Sequence, residues 1–227
     1  MIPPLIVKRA VEVGLDMIAI SDHNSAENVR AVIEAAKDSP LRVLPGMECE
    51  SVEGVHVLCL FDRAEDAESL QEIVYSSLPK IRNQSQKFGE QMVVTADAEF
   101  VRYNERLLLA PISLTLDEIV EAVESRSGIA IPAHVDRPGY GLFGVLGFMP
   151  EDAHFSAVEV SRRTKVADAR KKYPDLNGTS IITSSDAHML SDIGVCRTVF
   201  CVEHRSAAEI GLACRKIDGR CVEQCKV

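Results

Sequence analysis

The sequence lacks the features of a membrane protein, a secreted precursor or a fibrous chain. Its longest apolar runs, such as residues 128–133, are far shorter than the ~20 residues that a membrane span needs. The first 14 residues contain two prolines and two basic residues but no small-residue cleavage site, so they do not match a signal peptide. No internal repeat or low-complexity tract is present. We therefore expect a soluble globular protein with no membrane partner.

Basic residues and paired cysteines are also scarce. Lys and Arg number 25 against 34 Asp and Glu, which gives a net charge of −9. Because an acidic surface repels phosphate backbones, we expect a small phosphorylated substrate and not extended nucleic acid. The seven cysteines are an odd number, and Cys49, Cys59 and Cys201 lie in apolar stretches that predict buried thiols. Buried free thiols are typical of a reducing compartment, which predicts a cytoplasmic location.

The order of sequence patterns predicts an α/β fold. The 227 residues suit one domain, and helical patterns alternate with about seven short apolar runs. Such alternation indicates a parallel sheet covered on both faces, and this number of units favours a closed barrel over an open sheet. Residues 80–110 are more polar and less regular, so we interpret them as an insertion or lid within a single domain, 1–227.

Predicted element bounds follow from periodicity and capping residues. The predicted helices are 3–14, 25–36, 64–78, 115–127, 165–173 and 206–216. The predicted strands are 17–21, 42–51 (broken at Pro45-Gly46), 55–61, 128–135, 156–161, 180–186 and 197–202.

Three histidines directly follow apolar runs: His23, His134 and His188. In a parallel α/β barrel the loops after the strands build the active site, so these side chains should meet at one face. One such histidine alone is more often a structural hydrogen bonder, but three in the same pattern, each near a carboxylate, favour a shared site. The polar surroundings of His154 and His204 predict surface positions.

Carboxylates accompany these histidines. Asp186 and His188 are two positions apart and point the same way in an extended chain. Imidazole nitrogen with carboxylate oxygen suits Zn²⁺, Mn²⁺ or Fe²⁺. Glu48 is a further carboxylate, and its position in the sequence is as consistent with a solvated loop residue as with a metal ligand. Asp22 cannot face the same way as its neighbour His23, so we predict that His23 is the ligand and Asp22 orients it.

Five segments resemble successive motifs of the PHP (polymerase and histidinol phosphatase) family of metal-dependent phosphoesterases. They are SDHN at 21–24, PGMECES at 45–51, VHVLCLF at 55–61, IPAHVDRP at 131–138 and SSDAHMLSDIG at 184–194. Each motif alone is weak, but all five occur in the family's order and together cover nearly the whole chain. The resemblance implies a distorted (β/α)7 barrel, similar to a TIM barrel, with up to three metal ions.

The resemblance also implies a set of site residues. The implied metal ligands are His23, Glu48, His56, His134, Asp186 and His188. His56 owes its place mainly to the resemblance, because a histidine within a strand otherwise indicates a core residue. Asp22 and His188 are the candidate catalytic residues.

One family feature is absent from the sequence. The family begins with a strand that ends in an HxH pair, whereas no HxH occurs in these 227 residues. The resemblance therefore implies a barrel without its first strand and fewer than three metal ions. A truncated version of an active protein is favoured over a degenerate, non-catalytic module that binds metal or phosphate. The unpaired edges should make this chain self-associate more than a form with the strand restored.

The resemblance predicts a hydrolase that acts on a phosphate ester of a small metabolite, nucleotide or short oligonucleotide. Divalent ions would activate the attacking water. Arg137, Arg162 and Arg163 are candidate phosphate clamps, although each fits a surface ion pair equally well. Arg137 is favoured because it lies within three residues of His134. Metal-dependent amide hydrolysis, which similar barrels perform, is a further alternative.

Overall fold

The computed structural model describes residues 1–150 and 155–226, and the chain alternates helices and strands. The helices are α1 Pro3–Glu12, α2 Val29–Ala35, α3 Ala64–Ser77, α4 Ser85–Phe88, α5 Leu116–Glu124, α6 Leu142–Val145, α7 Val166–Lys172 and α8 Ala207–Arg215. The strands are β1 Met17–Ile20, β2 Arg42–Glu50, β3 His56–Leu60, β4 Met92–Val94, β5 Phe100–Tyr103, β6 Ile129–Pro132, β7 Ala157–Glu159, β8 Ser180–Ile182, β9 Arg197–Cys201 and β10 Cys221–Lys226.

The main sheet is mixed, with strand order β1-β2-β3-β6. β1 and β2 are parallel, whereas β3 is antiparallel to both β2 and β6. The prediction of an all-parallel sheet is therefore wrong at β3. Only five residues connect β2 to β3, too few for the crossover that a parallel neighbour requires, so the chain turns back on itself.

A closed seven-unit barrel is not confirmed within the described residues. Beyond the main sheet, the remaining strands form the pairs β7–β8, β9–β10 and β4–β5. Backbone hydrogen bonds from Val135 to Glu159 and from Val160 to Ile182 extend the wall from β6 to β8. On the other side, a cavity of about 1190 Å³ is lined by both β1 and β9, so the wall is open between these two strands.

Helices cover both faces of the main sheet, as the α/β pattern predicts. Val43, Met47 and Val57 belong to a core cluster that includes residues of α1, α2, α3 and α5. Leu44 and Ile131 face the opposite side, in a second cluster with residues of α8. Burying two apolar faces leaves the strand ends as the place where polar side chains can gather.

Several element boundaries follow the predicted capping residues. Thr115 and Glu118 form a capping box at the start of α5, and the Ser206 hydroxyl accepts a hydrogen bond from the third residue of α8. The second helix begins at Val29 and not after Ser25. The preceding turn is held by α3, since the Gln71 side chain accepts a hydrogen bond from the backbone of Ala26 at 2.7 Å.

Two smaller expectations are wrong. β2 runs without a break through Pro45-Gly46, because the Pro45 carbonyl accepts a hydrogen bond from Phe61 across the sheet. Cys49 and Cys59 are buried as predicted, with their sulfur atoms 3.7 Å apart. Cys201, the last residue of β9, is exposed instead.

Residues 80–110 contain α4 and the β4–β5 hairpin, which residue Asn28 ties to the loop after β1. The Asn28 side chain donates to the Met92 carbonyl and accepts from the Val94 amide, each at 3.1 Å. A role for this segment as a lid stays a prediction.

Three remaining expectations concern the surface. His204 is exposed as predicted, whereas the prediction for His154 falls outside the described residues. Among the described residues, no helix combines the length and apolar composition needed to cross a bilayer. The cytoplasmic location stays a prediction.

Candidate metal centre

One buried carboxylate, that of Glu48, contacts three of the predicted histidines. Its Oε2 lies 3.2 Å from Nδ1 of His23. Its Oε1 lies 3.3 Å from Nδ1 of His56 and 3.4 Å from Nε2 of His134. Glu48 is 7% exposed and His134 only 2%. The structure therefore brings four of the six predicted ligands into one cluster, called the Glu48 cluster below.

Strand direction explains why these four residues meet. His23 and His134 follow the carboxyl ends of β1 and β6, and Glu48 lies near the end of β2. His56 is the first residue of β3, and because β3 runs the opposite way, its start lies at the same edge. Backbone bonds fix the register, from Asn24 to Glu48 and from Ala133 to His56, each 2.9 Å.

Burial and contacts within the Glu48 cluster shift the pKa values of its residues. Burial opposes ionisation of Glu48, but hydrogen bonds from His134 and His56 outweigh it and lower the pKa of Glu48. Burial likewise opposes protonation of His56, but Glu48 and Glu50 outweigh it and raise the pKa of His56 to about 9. Burial lowers the pKa of His23, although Glu48 counteracts it. Opposed shifts among touching groups are typical of functional sites.

The donor atoms of the cluster fit a divalent metal ion. His23, Glu48 and His56 offer ligand atoms that all lie within 4.8 Å of one another. Nδ1 of His134 is buried and finds no hydrogen-bond partner in the described part of the chain. Unsatisfied buried nitrogen atoms are costly unless something binds them. Two or three imidazoles with a carboxylate match Zn²⁺, Mn²⁺ or Fe²⁺ chemistry.

The other two predicted ligands lie beside the cluster. Asp186, at φ +45°, is paired with the guanidinium of Arg137. The His188 side chain is 67% exposed, and its Nδ1 lies 3.1 Å from the Asp186 carbonyl oxygen. The His188 ring centroid lies 6.2 Å from that of His23. Asp22 is exposed and accepts a hydrogen bond from Asn28 at 3.3 Å. Their metal-binding and catalytic roles stay predictions.

The three arginines differ in their surroundings. Arg137 pairs with Asp186 and so lies next to a predicted ligand. Arg162 lies 3.2 Å from the Asp192 carboxylate and donates to the Ser185 carbonyl. Arg163 is exposed. Only Arg137 thus touches a predicted site residue through its side chain in the described structure.

Sequence reasoning missed two residues at this site. Glu159, in β7, is 2% exposed and accepts a hydrogen bond from Ser184 at 2.7 Å. Burial raises the pKa of Glu159 to about 7, with Glu48 and Asp186 adding to the shift. A single acid inside the apolar run AVEV was the available signal. Tyr140, whose ring stacks on His56 at 4.5 Å, had no such signal because it lies in an irregular loop.

The cavity between β1 and β9 opens onto the cluster. Its lining includes His23, Glu48, Asp186 and His188 together with apolar residues such as Leu44. The candidate centre is therefore accessible from the open side of the wall.

Comparison with known proteins gives one family match and several matches of fold. Residues 170–216 match a family model described as PHP-associated. No curated protein sequence matches the chain. Among solved structures, the lesion-specific endonuclease PfuEndoQ from Pyrococcus furiosus superposes with a TM-score of 0.72 at 19% identity, over 99% of this chain and 54% of its own.

Two further structures share the fold. One is an Endonuclease Q complex with a 27-mer duplex substrate that carries an abasic lesion at the active site, with a TM-score of 0.70 and 18% identity over 98% of this chain and 53% of its own. The other is a candidate metal-dependent phosphoesterase from Bifidobacterium adolescentis, with a TM-score of 0.58 and 15% identity over 95% of this chain and 90% of its own. The chain spans about half the length of the endonuclease Q chains.

The expectation that extended nucleic acid is not a partner is wrong. The same fold occurs in Endonuclease Q, which was solved with a 27-mer duplex. The net charge of −9 averages over the whole surface and does not describe the potential at one cleft. Arg137 lies beside the Glu48 cluster, and a bound divalent ion would add further positive charge there.

Proposed function

We propose that this chain is a metal-dependent phosphoesterase acting on nucleic acid or nucleotides, which the PHP-associated match at residues 170–216 and the fold shared with Endonuclease Q and a candidate metal-dependent phosphoesterase support. The observation that carries the proposal is the contact of one buried carboxylate, Glu48, with three imidazoles. Such a cluster costs free energy in an empty protein interior, since it groups polar atoms without satisfying all of them.

Within this proposal, the side chains of the Glu48 cluster bind the metal and Arg137 binds the phosphate. Glu48, His56, His134 and His23 would hold the metal. A divalent ion bound there would supply Lewis-acid activation of water and neutralisation of phosphate charge. Arg137 would exchange its ion pair with Asp186 for a phosphate oxygen, because a guanidinium binds both anions in the same bidentate way.

Glu159 would act as a positioning residue. It accepts a hydrogen bond from Ser184, two residues before Asp186, and its backbone carbonyl accepts one from Val135, next to His134. One buried side chain and its own backbone thus connect the two loops that carry these predicted ligands. The connection would hold both loops at a fixed separation while substrate binds.

The test is metal content and turnover in a matched pair of variants. We expect the purified chain to bind Mn²⁺ or Zn²⁺ and to hydrolyse phosphodiesters, among them bis(p-nitrophenyl) phosphate and a DNA duplex with an abasic site. Glu48→Gln, which keeps the shape but removes the charge, should lower metal affinity and turnover at least ~100-fold. Glu12→Gln, at an exposed helix position, is the control.

Two results would contradict the proposal. If the imidazoles are only structural, Glu48→Gln will bind as much metal as Glu12→Gln, and equal metal content in the two variants would therefore contradict the proposal. Turnover of cyclic amides without turnover of any phosphate ester would instead favour the amide-hydrolysis alternative.

A further inference from the structure

Tyr140 has an unusual conformation in the loop after β6. Its φ is +62°, a left-handed conformation that a bulky side chain rarely adopts. Such strain persists only where the surroundings enforce it, and it concentrates at functional sites. The Tyr140 carbonyl accepts a 2.9 Å hydrogen bond from the backbone of His56, which fixes the loop against the first residue of β3.

The loop around Tyr140 is rigid on both sides. Asp136 accepts hydrogen bonds from the Ser161 amide and hydroxyl and from the Thr164 hydroxyl, all between 2.6 and 2.7 Å. At Gly141, a Cβ atom would lie 2.5 Å from the Arg137 carbonyl oxygen, so the chain can pass here only as glycine. These contacts therefore anchor the loop on both sides of the strained tyrosine.

The ring of Tyr140 has one covered face and one free face. It stacks on His56 with ring centroids 4.5 Å apart and planes 25° apart. The residue is nevertheless 52% exposed, so the opposite face of the ring is open to solvent. An exposed aromatic ring that is fixed against a candidate metal ligand offers a flat surface at little further entropic cost.

We infer that the free face of Tyr140 is a stacking subsite for a nucleobase attached to the phosphate that reaches the Glu48 cluster. The inference rests on the proposed function and names the part of the substrate that the metal centre does not contact. Arg137, three residues earlier in the same loop, is beside the cluster, so one loop presents a cation for the phosphate and a ring for the base. Stacking on an aromatic side chain accepts any base, because every base has a π face.

Binding of two phosphonates by the Mn²⁺-loaded chain tests the subsite. Adenosine 5′-methylenephosphonate resists hydrolysis and carries a base, whereas methylphosphonate carries the same type of anion without a ring. In calorimetric titrations the wild-type chain should bind the adenosine compound about 10- to 100-fold more tightly. Tyr140→Ala should abolish this preference and keep the methylphosphonate affinity, whereas Tyr140→Phe should keep both.

Tyr103→Ala is the matched control, since Tyr103 is 47% exposed and its ring contacts Phe100 on the hairpin. A preference that survives in Tyr140→Ala would overturn the subsite, as would equal loss of both affinities or no binding of the adenosine compound by the wild type. Failure of the phosphoesterase proposal is separate: it would appear as an absence of phosphodiester turnover while the base preference persists.

Discussion

Asp136 shows how a single residue can secure the geometry of the site without belonging to the Glu48 cluster. Its carboxylate accepts three hydrogen bonds from Ser161 and Thr164, and they join the loop after β6 to the loop after β7. Burial would raise the pKa of Asp136, but these hydrogen bonds outweigh it and lower the pKa. The carboxylate therefore stays ionised and anchors the loop that carries His134, Arg137 and Tyr140.

If Asp136 anchors this loop, its replacement should lower the stability of the protein. Asp136→Ala removes all three hydrogen bonds and leaves the Ser161 amide without its acceptor, so we expect the free energy of unfolding to fall by about 3 kcal/mol. Asp136→Asn, which keeps one acceptor oxygen, should lose less. Urea denaturation at pH 7 measures both, and an unchanged midpoint for Asp136→Ala would contradict the anchoring role.

Residue types at strand ends could be predicted from sequence, but their contacts could not. His23 and His134 follow apolar runs, and the positions of both in the structure agree with that pattern. Tyr140 could not be foreseen, because its role depends on a left-handed backbone angle and on stacking across two loops. The role of His56 could be predicted only from the family resemblance. Its side chain reaches the site because β3 runs antiparallel to β2, and the sequence pattern did not predict that direction.

Among the secondary-structure elements, β3 is where sequence reasoning went wrong. The alternation of helix and strand predicted parallel strands, yet residues 51–55 are too few for a crossover. The short connection between β2 and β3 was visible in the sequence, and it determines the direction of β3 more strongly than the general alternation of helix and strand does. The closure of the barrel, in contrast, depends on contacts between β9 and distant strands, which no local pattern specifies.

An ion pair at the junction between α8 and β10 should make the stability of the protein depend on pH. Arg220 binds both carboxylate oxygens of Glu209, at 2.8 and 2.9 Å, and these bonds lower the pKa of Glu209 to about 2 from its ordinary value near 4.5. Because the folded pKa is the lower one, the stabilisation is complete above about pH 4.5 and is lost as the pH falls towards 2.

Comparison of Glu209→Gln with the wild type tests this direction of the pH dependence of stability. At pH 7 the variant should unfold at a lower urea concentration, and the difference should shrink as the pH is lowered from 5 to 3. Arg220→Lys, which keeps the charge but loses the bidentate geometry, should fall between the two at pH 7. A difference that is constant across this pH range would mean that the ion pair does not contribute.

At the scale of the whole molecule, the open wall between β1 and β9 is the dominant feature. β1 is the outer strand of its sheet, and the cavity beside it is lined by Met17, Ala19 and other apolar residues. Unpaired strand edges and exposed apolar surface promote pairing between chains. Surface charge of −9 opposes association only weakly at physiological salt, where repulsion is screened within about 8 Å.

We therefore expect this chain to self-associate through the open wall. Sedimentation velocity should show larger species as the concentration rises, and Ala19→Lys, which places a charge on the β1 edge, should reduce them. Ala208→Lys, at an exposed position of α8, is the control for added charge alone. A wild-type chain that stays monomeric throughout would show that the edge of β1 is not available for pairing.

The reversed strand β3 also has a consequence for the order in which the site folds. Glu48 and His56 are eight positions apart and belong to one hairpin, so their contact closes a short loop. His134 must close a loop of more than eighty residues to reach the same carboxylate. Contacts of short sequence separation form first. We therefore expect the carboxylate and one imidazole to pair early in folding, and the long-range histidine to complete the cluster only when the tertiary structure is nearly formed.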